Sequence, residues 1–280
     1  MLVAIDKEKV RYISWLTEKY QAPFFCPACG DEVILKKGGK REHHFAHKPP
    51  FDCIYSSGES QKHYKVKRLI YTALSKHDNC HKCDIERPLD GVRPDISLYI
   101  GKTPVAIEIQ KSNIDLNDIL RRTKQYTKLG IHLLWVSPDN MPNSLSFVED
   151  EDIYIWRPKE WQKFLHAMYF GRIYFWQHDA FVMPIHLNQY EYYKEPGNWV
   201  DDFYEAEGID LEGTSWHDEN HPNADYGGCW KTSKTKKVVM CGKSVHIANS
   251  FNGTFRSAFN IKNWSLPSAK IWIDVQGKWW

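Results

Sequence analysis

The chain of 280 residues has no apolar run approaching the ~18 residues needed to cross a bilayer. The opening MLVAIDKEKV has neither a basic n-region nor a long apolar h-region, so no signal peptide is expected. An unsecreted, cytoplasmic protein with no membrane contact is the resulting expectation. Charge of one sign is also lacking: 37 Lys and Arg stand against 35 Asp and Glu, net +2. This excludes a uniformly basic coat for nucleic acid but not a local basic groove. Internal repeats and low-complexity tracts are absent. With 42% hydrophobic and 26% charged residues, the composition is that of a folded globular protein, of a length for one large domain or two.

What is present is unevenly distributed. Residues 1–150 hold 23 Lys and Arg against 19 Asp and Glu, whereas residues 151–280 hold 14 against 16, so the front half is the better partner for a polyanion. Tryptophan runs the other way, with two of twelve before residue 150 (Trp15, Trp135). Between Lys194 and Lys231 there is no basic residue but ten acids, which argues against nucleic acid lying there. The turn-rich stretch after Val136 (Ser137, Pro138, Asp139, Asn140, Met141, Pro142, Asn143) suggests a boundary between about 138 and 152. Three regions are expected: residues 1–57, a core at 58–140, and an aromatic-rich domain at 141–280. The aromatic residues of the last are expected mainly in a core, although they could stack on bases or meet a protein partner or second copy of the chain.

Seven cysteines in a long, unsecreted chain argue for metal ligands or buried thiols over a disulfide framework. Cys26 and Cys29 are followed, across a hairpin-like stretch with Gly38-Gly39 as its turn, by His44 and His47. Two close pairs of thiolates and imidazoles suit tetrahedral Zn²⁺ in a structural, zinc-ribbon-like segment. His43 could replace His44, and Cys53 could replace one of the histidines. Cys80 and Cys83 lack a second pair at suitable spacing and are expected as thiols.

Residues 59–76 and 115–129 have helical apolar spacing, the second stopped by Gly130, and residues 84–89, 95–100, 103–110 and 132–137 read as strands. If Gly101-Lys102 is a two-residue turn, cross-strand partners sum to 203. One face then becomes Ile96, Leu98, Ile100, Thr103, Val105, Ile107 and Ile109; the other sets Asp95 opposite Glu108, with Gln110 beside them. Two like charges so close oppose folding unless a shared proton, a basic neighbour such as Arg93, or a divalent cation offsets them. A hard cation such as Mg²⁺ (or Mn²⁺) takes oxygen ligands of this kind. Glu59, with His63 and Lys67 one and two helical turns on, supplies a third carboxylate.

These pieces resemble the competence protein CoiA-like nucleases of the PD-(D/E)XK, restriction-endonuclease-like superfamily. The resemblance runs from about Tyr20 to Val136 through CPACG, HFAH, the Glu59-Ser60-His63-Lys67 helix, RPD ending in Asp95, AIEIQKS, and RRTKQYTKLGIHLLWV with Arg122, Thr123, Tyr126 and Gly130. It implies an α/β (α+β) fold, a mixed sheet flanked by helices, and a metal-dependent nuclease acting on DNA, single- or double-stranded. Asp95 and Glu108 would hold the metal, with the Ile109 carbonyl as a further ligand. Glu59 would be the helical acid, and Gln110 stands where the superfamily usually has lysine. Lys67, Arg121, Arg122 and Lys124 are the expected phosphate contacts. Handling of incoming DNA in competence, or defence against phage, would both suit such an enzyme. A catalytically inactive DNA-binding protein is the alternative that the missing lysine raises.

Overall fold

The structure, a computed structural model, describes residues 1–50, 52–53, 59–139, 141, 145–194, 229–240, 242–261 and 264–275. The acidic window from Glu195 to Asp225 lies outside the described residues. Among the described residues no helix is long and apolar enough to cross a membrane.

A small antiparallel sheet comes first, built from β1 (Val3–Ile5), β2 (Arg11–Ile13), β3 (Phe24–Phe25), β4 (Glu32–Lys36) and β5 (His44–His47), in the order β2-β1-β3-β4-β5. Its strands are short. Phe24, Val33, Leu35 and Phe45 close a core around Cys26 and Cys53.

Next is helix α1 (Gln61–Leu74), whose N-cap Ser60 accepts the His63 N–H on its hydroxyl. Val66, Ile70 and Leu74, four residues apart, are all fully buried against the main sheet. Then come β6 (Cys80–Ile85), β7 (Ile96–Ile100), β8 (Thr103–Ile109), α2 (Leu116–Lys128) and β9 (His132–Ser137). The expected order of helix, three strands, helix and strand holds, but the first strand lies at 80–85 rather than 84–89. Glu86 turns the chain out of the strand at φ 51°, and after Pro88 a Leu89–Val92 bridge closes a turn over Asp90 and Gly91.

The hairpin register is the expected one: Ile96 pairs with Ile107, Leu98 with Val105 and Ile100 with Thr103. Gly101 takes φ 57°, as the first position of a type II′ turn requires. Helix α2 starts on Asp115, whose carboxylate accepts the Asn117 N–H. It stops at Gly130 (φ 75°), where the N–H groups of Ile131 and Gly130 bond back to the carbonyls of Tyr126 and Thr127, a Schellman ending. The helix carries the chain over to β9, which pairs in parallel with β8.

The remaining elements are β10 (Ser146–Val148), β11 (Ile153–Trp156), α3 (Glu160–Met168), β12 (Ile173–His178), β13 (Phe181–Lys194), β14 (Cys229–Met240), β15 (Val245–His246), β16 (Phe251–Arg256), β17 (Phe259–Ile261), β18 (Trp264–Leu266) and β19 (Ala269–Asp274). The main sheet runs β10-β11-β14-β13-β12-β9-β8-β7-β6, with β15, β16 and β19 attached. The protein is therefore mixed α/β, with helices on a large mixed sheet.

Of residues 141–280, expected as a domain of their own, the described strands β10–β16 and β19 are continuous with this sheet. The composition changes in the loop after β9, but hydrogen bonding crosses it: β12 pairs in parallel with Val136 and Ser137, and β19 with Leu133. Trp161, Trp176 and Trp272 share one buried cluster with Val66, Ile107 and Tyr126.

Two strands thus share the outer edge of β9, and a side chain fills the interval between them. The buried Tyr169 hydroxyl accepts the Trp135 N–H (3.0 Å) and donates to the Leu133 carbonyl (2.8 Å). Tyr169→Phe removes both bonds and strands a buried N–H. We expect a loss of about 1–3 kcal/mol of stability in urea unfolding, without change of fold.

Candidate functional site

Two groups of metal-capable side chains stand out among the described residues. The first belongs to the small sheet. Cys26, Cys29, His47 and Cys53 offer ligand atoms all within 4.8 Å of one another. The Cys26 and Cys53 sulfurs are 3.7 Å apart, and Cys29 Sγ is 3.3 Å from His47 Nε2. A tight turn after β3 presents the first pair: the Cys26 carbonyl accepts the Gly30 N–H, with Gly30 at φ 79°. The group is Cys₃His, a donor set that suits Zn²⁺ and leaves no open position.

The expected ligand His44 is replaced by Cys53, for a reason of strand geometry. His44 and His47 lie three apart on β5, so they face opposite ways. His47 turns inward with Phe45. His44 turns outward, stacks on Tyr64 (5.7 Å) and approaches the Glu42 carbonyl through Nδ1. Cys80 and Cys83 lie on β6 as free thiols, pushed by burial to about 11 and about 12.

The second group lies at the floor of a cleft of ≈ 1090 Å³ between α1, the β7–β8 hairpin and α2. Glu59 precedes the α1 N-cap, and His63 and Lys67 follow at one-turn intervals on one stripe. Asp95 stands just before β7. Glu59, His63 and Asp95 have ligand atoms within 4.8 Å of one another. His63 Nε2 is 3.2 Å from Asp95 Oδ2 and its Nδ1 is 3.7 Å from Glu59 Oε2. The Ile109 amide also donates to Asp95 Oδ2 at 2.8 Å, so this residue meets the cluster through its N–H.

Beneath them sits Lys67, fully buried. Its ammonium is 2.7 Å from Asp95, 2.9 Å from Glu86 and 3.1 Å from Glu59. Burial would lower its pKa, but Asp95, Glu86 and Glu59 together hold it well above the ordinary lysine value. Conversely, burial would raise Asp95 and Glu86. Lys67 outweighs it, aided at Asp95 by His63, and holds Asp95 far below the usual carboxylate range and Glu86 at about 2.

Glu108, on β8, lines the same cleft but has its own partners. Arg122 on α2 donates to one oxygen (2.9 Å) and the Tyr126 hydroxyl to the other (2.7 Å). Burial, reinforced by the nearby Asp95 charge, raises its pKa to about 7 against the pull of Arg122 and Tyr126. The two carboxylates that the hairpin sets opposite one another are therefore neutralised separately. The atoms that converge with those of Asp95 are those of Glu59 and His63.

Gln110 lines the cleft, with Nε2 bonded to the carbonyl and hydroxyl of Ser112. The expected phosphate contacts are rearranged. Lys67 is inaccessible, and Arg122 is engaged by Glu108. Arg121 borders the cleft and bonds to Asp118 and the Gly91 carbonyl. Lys124 is exposed but is not among the cleft-lining residues, whereas Lys111 and Lys159 are. Glu86 is the member that the sequence concealed. Placed inside a strand by its neighbours, it gave no sign of the turn that aims it at Lys67.

This mixed α/β protein thus joins a Cys₃His module to an acidic cleft. Residues 6–56 match the family model "Competence protein CoiA, N-terminal domain", and residues 59–170 match "Competence protein CoiA, nuclease-like domain". The chain belongs to the CoiA-like family. The competence protein CoiA of Bacillus subtilis (strain 168) is 32% identical over 114 residues, 40% of this chain and 31% of that protein. The chain spans about a third of the length of this curated relative. No solved structure matches it.

Two predictions follow from these clusters. Purified protein should carry zinc that Cys53→Ser depletes and His44→Ala retains, as measured by metal analysis. Lys67→Met should cost about 3–5 kcal/mol in urea unfolding at pH 7, because it takes the shared cation from buried Glu86 and from half-buried Asp95 and Glu59. Asp95 and Glu86 have depressed folded pKa values, so the stability they contribute with Lys67 is fully present above pH ~4; below that, the Glu86 part is lost as pH falls through about 2 and the Asp95 part persists lower still. The gap between wild type and Lys67→Met should narrow as pH falls from about 4 to about 2.

Proposed function

We propose that this chain is a divalent-metal-dependent nuclease that hydrolyses phosphodiester bonds in DNA, in the manner of the PD-(D/E)XK enzymes. The observation that carries the reading is the convergence of Glu59, His63 and Asp95 in an open cleft, within residues that match a nuclease-like domain. Two carboxylates and an imidazole fit Mn²⁺ as well as Mg²⁺, since the imidazole adds a softer donor to an oxygen set. A cation held there would supply Lewis-acid charge against the phosphoryl oxygens.

The side chains around it have distinct tasks. Lys67 keeps Asp95 and Glu86 ionised and fixes the cluster to the sheet. Glu108, at about 7, gains or loses a proton near neutral pH, so it can take the proton of an attacking water. Gln110, anchored through Ser112, orients that water by donating and accepting. Lys111, Arg121 and Lys159 border the cleft and meet the phosphates on either side of the scissile bond. Incoming DNA during competence, or invading phage DNA, is the substrate in this reading.

One observation favours a second reading, a DNA-binding protein that does not cut. The Lys67 ammonium already sets a positive charge among Glu59, Glu86 and Asp95, as a metal would. The two readings separate in one assay. With Mn²⁺ or Mg²⁺ added to the purified protein, single- or double-stranded DNA should be cleaved. Asp95→Ala and Glu59→Gln should each lower the rate by at least about 100-fold. DNA retention without cutting would support the second reading, and wild-type rates in both variants would remove the cleft as the centre.

A further inference from the structure

Lys36 ends β4, and the loop to β5 opens with Lys37, Gly38, Gly39, Lys40 and Arg41, so residues 36–41 hold four cations and no acid. It overhangs a groove of ≈ 1010 Å³ on the flank of α1, lined by Lys40, Arg41, Lys65, Gln61, Trp15 and Trp176 among others. Several cations here are already paired: Lys37 with Glu18, Lys62 with Asp139, and Arg68 with Glu42. Lys36, Lys40, Arg41 and Lys65 are not. All four are exposed, and none has a carboxylate within 4.0 Å among the described residues. One acid lines the groove, Glu42, and both its oxygens are taken by Arg68.

The fold does not account for the two glycines. Neither has a positive φ, and a Cβ built on either would meet nothing within 4 Å. What their missing side chains do leave is bare backbone on which a large ligand can lie closely.

The loop is held beside the cleft. The Glu42 N–H donates to Gln61 Oε1 at 2.7 Å, tying its end to the first turn of α1. Gln61 follows Ser60, which lines the cleft with Glu59 and His63. Groove and cleft are therefore two flanks of one helix end.

We propose that the 36–41 loop and Lys65 hold the phosphate backbone of a nucleic acid whose scissile bond lies in the cleft. The small N-terminal sheet is then a substrate clamp, a role that rests on the nuclease reading for what happens at the far end of the strand. The unpaired cations act as point charges on successive phosphates, so the contact is independent of base sequence and sensitive to salt.

The test uses the full chain, labelled 30-nucleotide single-stranded and 30-base-pair DNA, and fluorescence anisotropy across a salt series without added divalent metal. Lys40→Gln/Arg41→Gln/Lys65→Gln should weaken binding about tenfold or more near 0.1 M salt, and lower the slope of log K against log salt by about 2–3. A charge-matched control, Lys7→Gln/Lys76→Gln/Lys102→Gln, should keep the wild-type slope. Unchanged affinity and slope in the loop variant, an equal loss in the control, or no DNA binding by wild type would overturn the proposal. Cleavage by wild type is scored separately. If wild type cuts DNA while the loop variant keeps its slope, the clamp fails and the nuclease stands. If wild type never cuts but the loop variant loses its slope, the clamp stands and the nuclease reading fails.

Discussion

The ammonium of Lys67 is the cation around which the cleft is assembled. It comes from the middle of α1, while the three carboxylates that surround it come from the residue before that helix's N-cap, the turn after β6 and the residue before β7. Stripping a lysine of water costs several kcal/mol, and only close, well-directed counter-charges offset that. The arrangement thus tolerates little displacement of any of the three segments. With Lys67 in place, Asp95 stays ionised at the base of an open cleft, with the Glu59 carboxylate on the same ammonium. The conformational demand is also local: Glu86 must leave its strand through a left-handed turn to reach the amine.

Much of this was legible in the amino-acid order, for reasons that can be named. Alternation of apolar residues from Ile96 to Ile109 about a Gly-Lys turn admits one register, because a slip of one residue would carry every Ile and Val to the wrong face. Asp115 and Gly130 mark the ends of α2 by chemistry that is local to the backbone. The failures share a different cause. His44 and His47 look like a bent ligand pair until it is known that they sit on a strand, where a spacing of three separates them. Glu86 looks like part of a strand, because the turn that frees it depends on the Leu89–Val92 bridge rather than on its own neighbours. Which lysines are buried and which meet solvent likewise depends on partners distant in the chain, as Lys67 and Lys65 show from two positions apart.

The shift in composition near residue 140 also takes on a different meaning in three dimensions. It follows a loop, yet β12 and β19 dock on β9, the strand that pairs with β8 and its Glu108. The family matches end at residue 170, just past Tyr169, whose hydroxyl sits in the interval between those two docked strands. The tryptophan-rich half accordingly completes the sheet on which the cleft is built.

Helix α2 makes that connection concrete. It grips Glu108 through Arg122 and Tyr126, and one residue further on the Thr127 hydroxyl accepts the Lys270 N–H of β19 at 3.2 Å. The last of the described strands therefore braces the helix whose Arg122 and Tyr126 hold a cleft acid. A sequence change around Lys270, though remote from every candidate ligand, would be felt as altered acid–base behaviour.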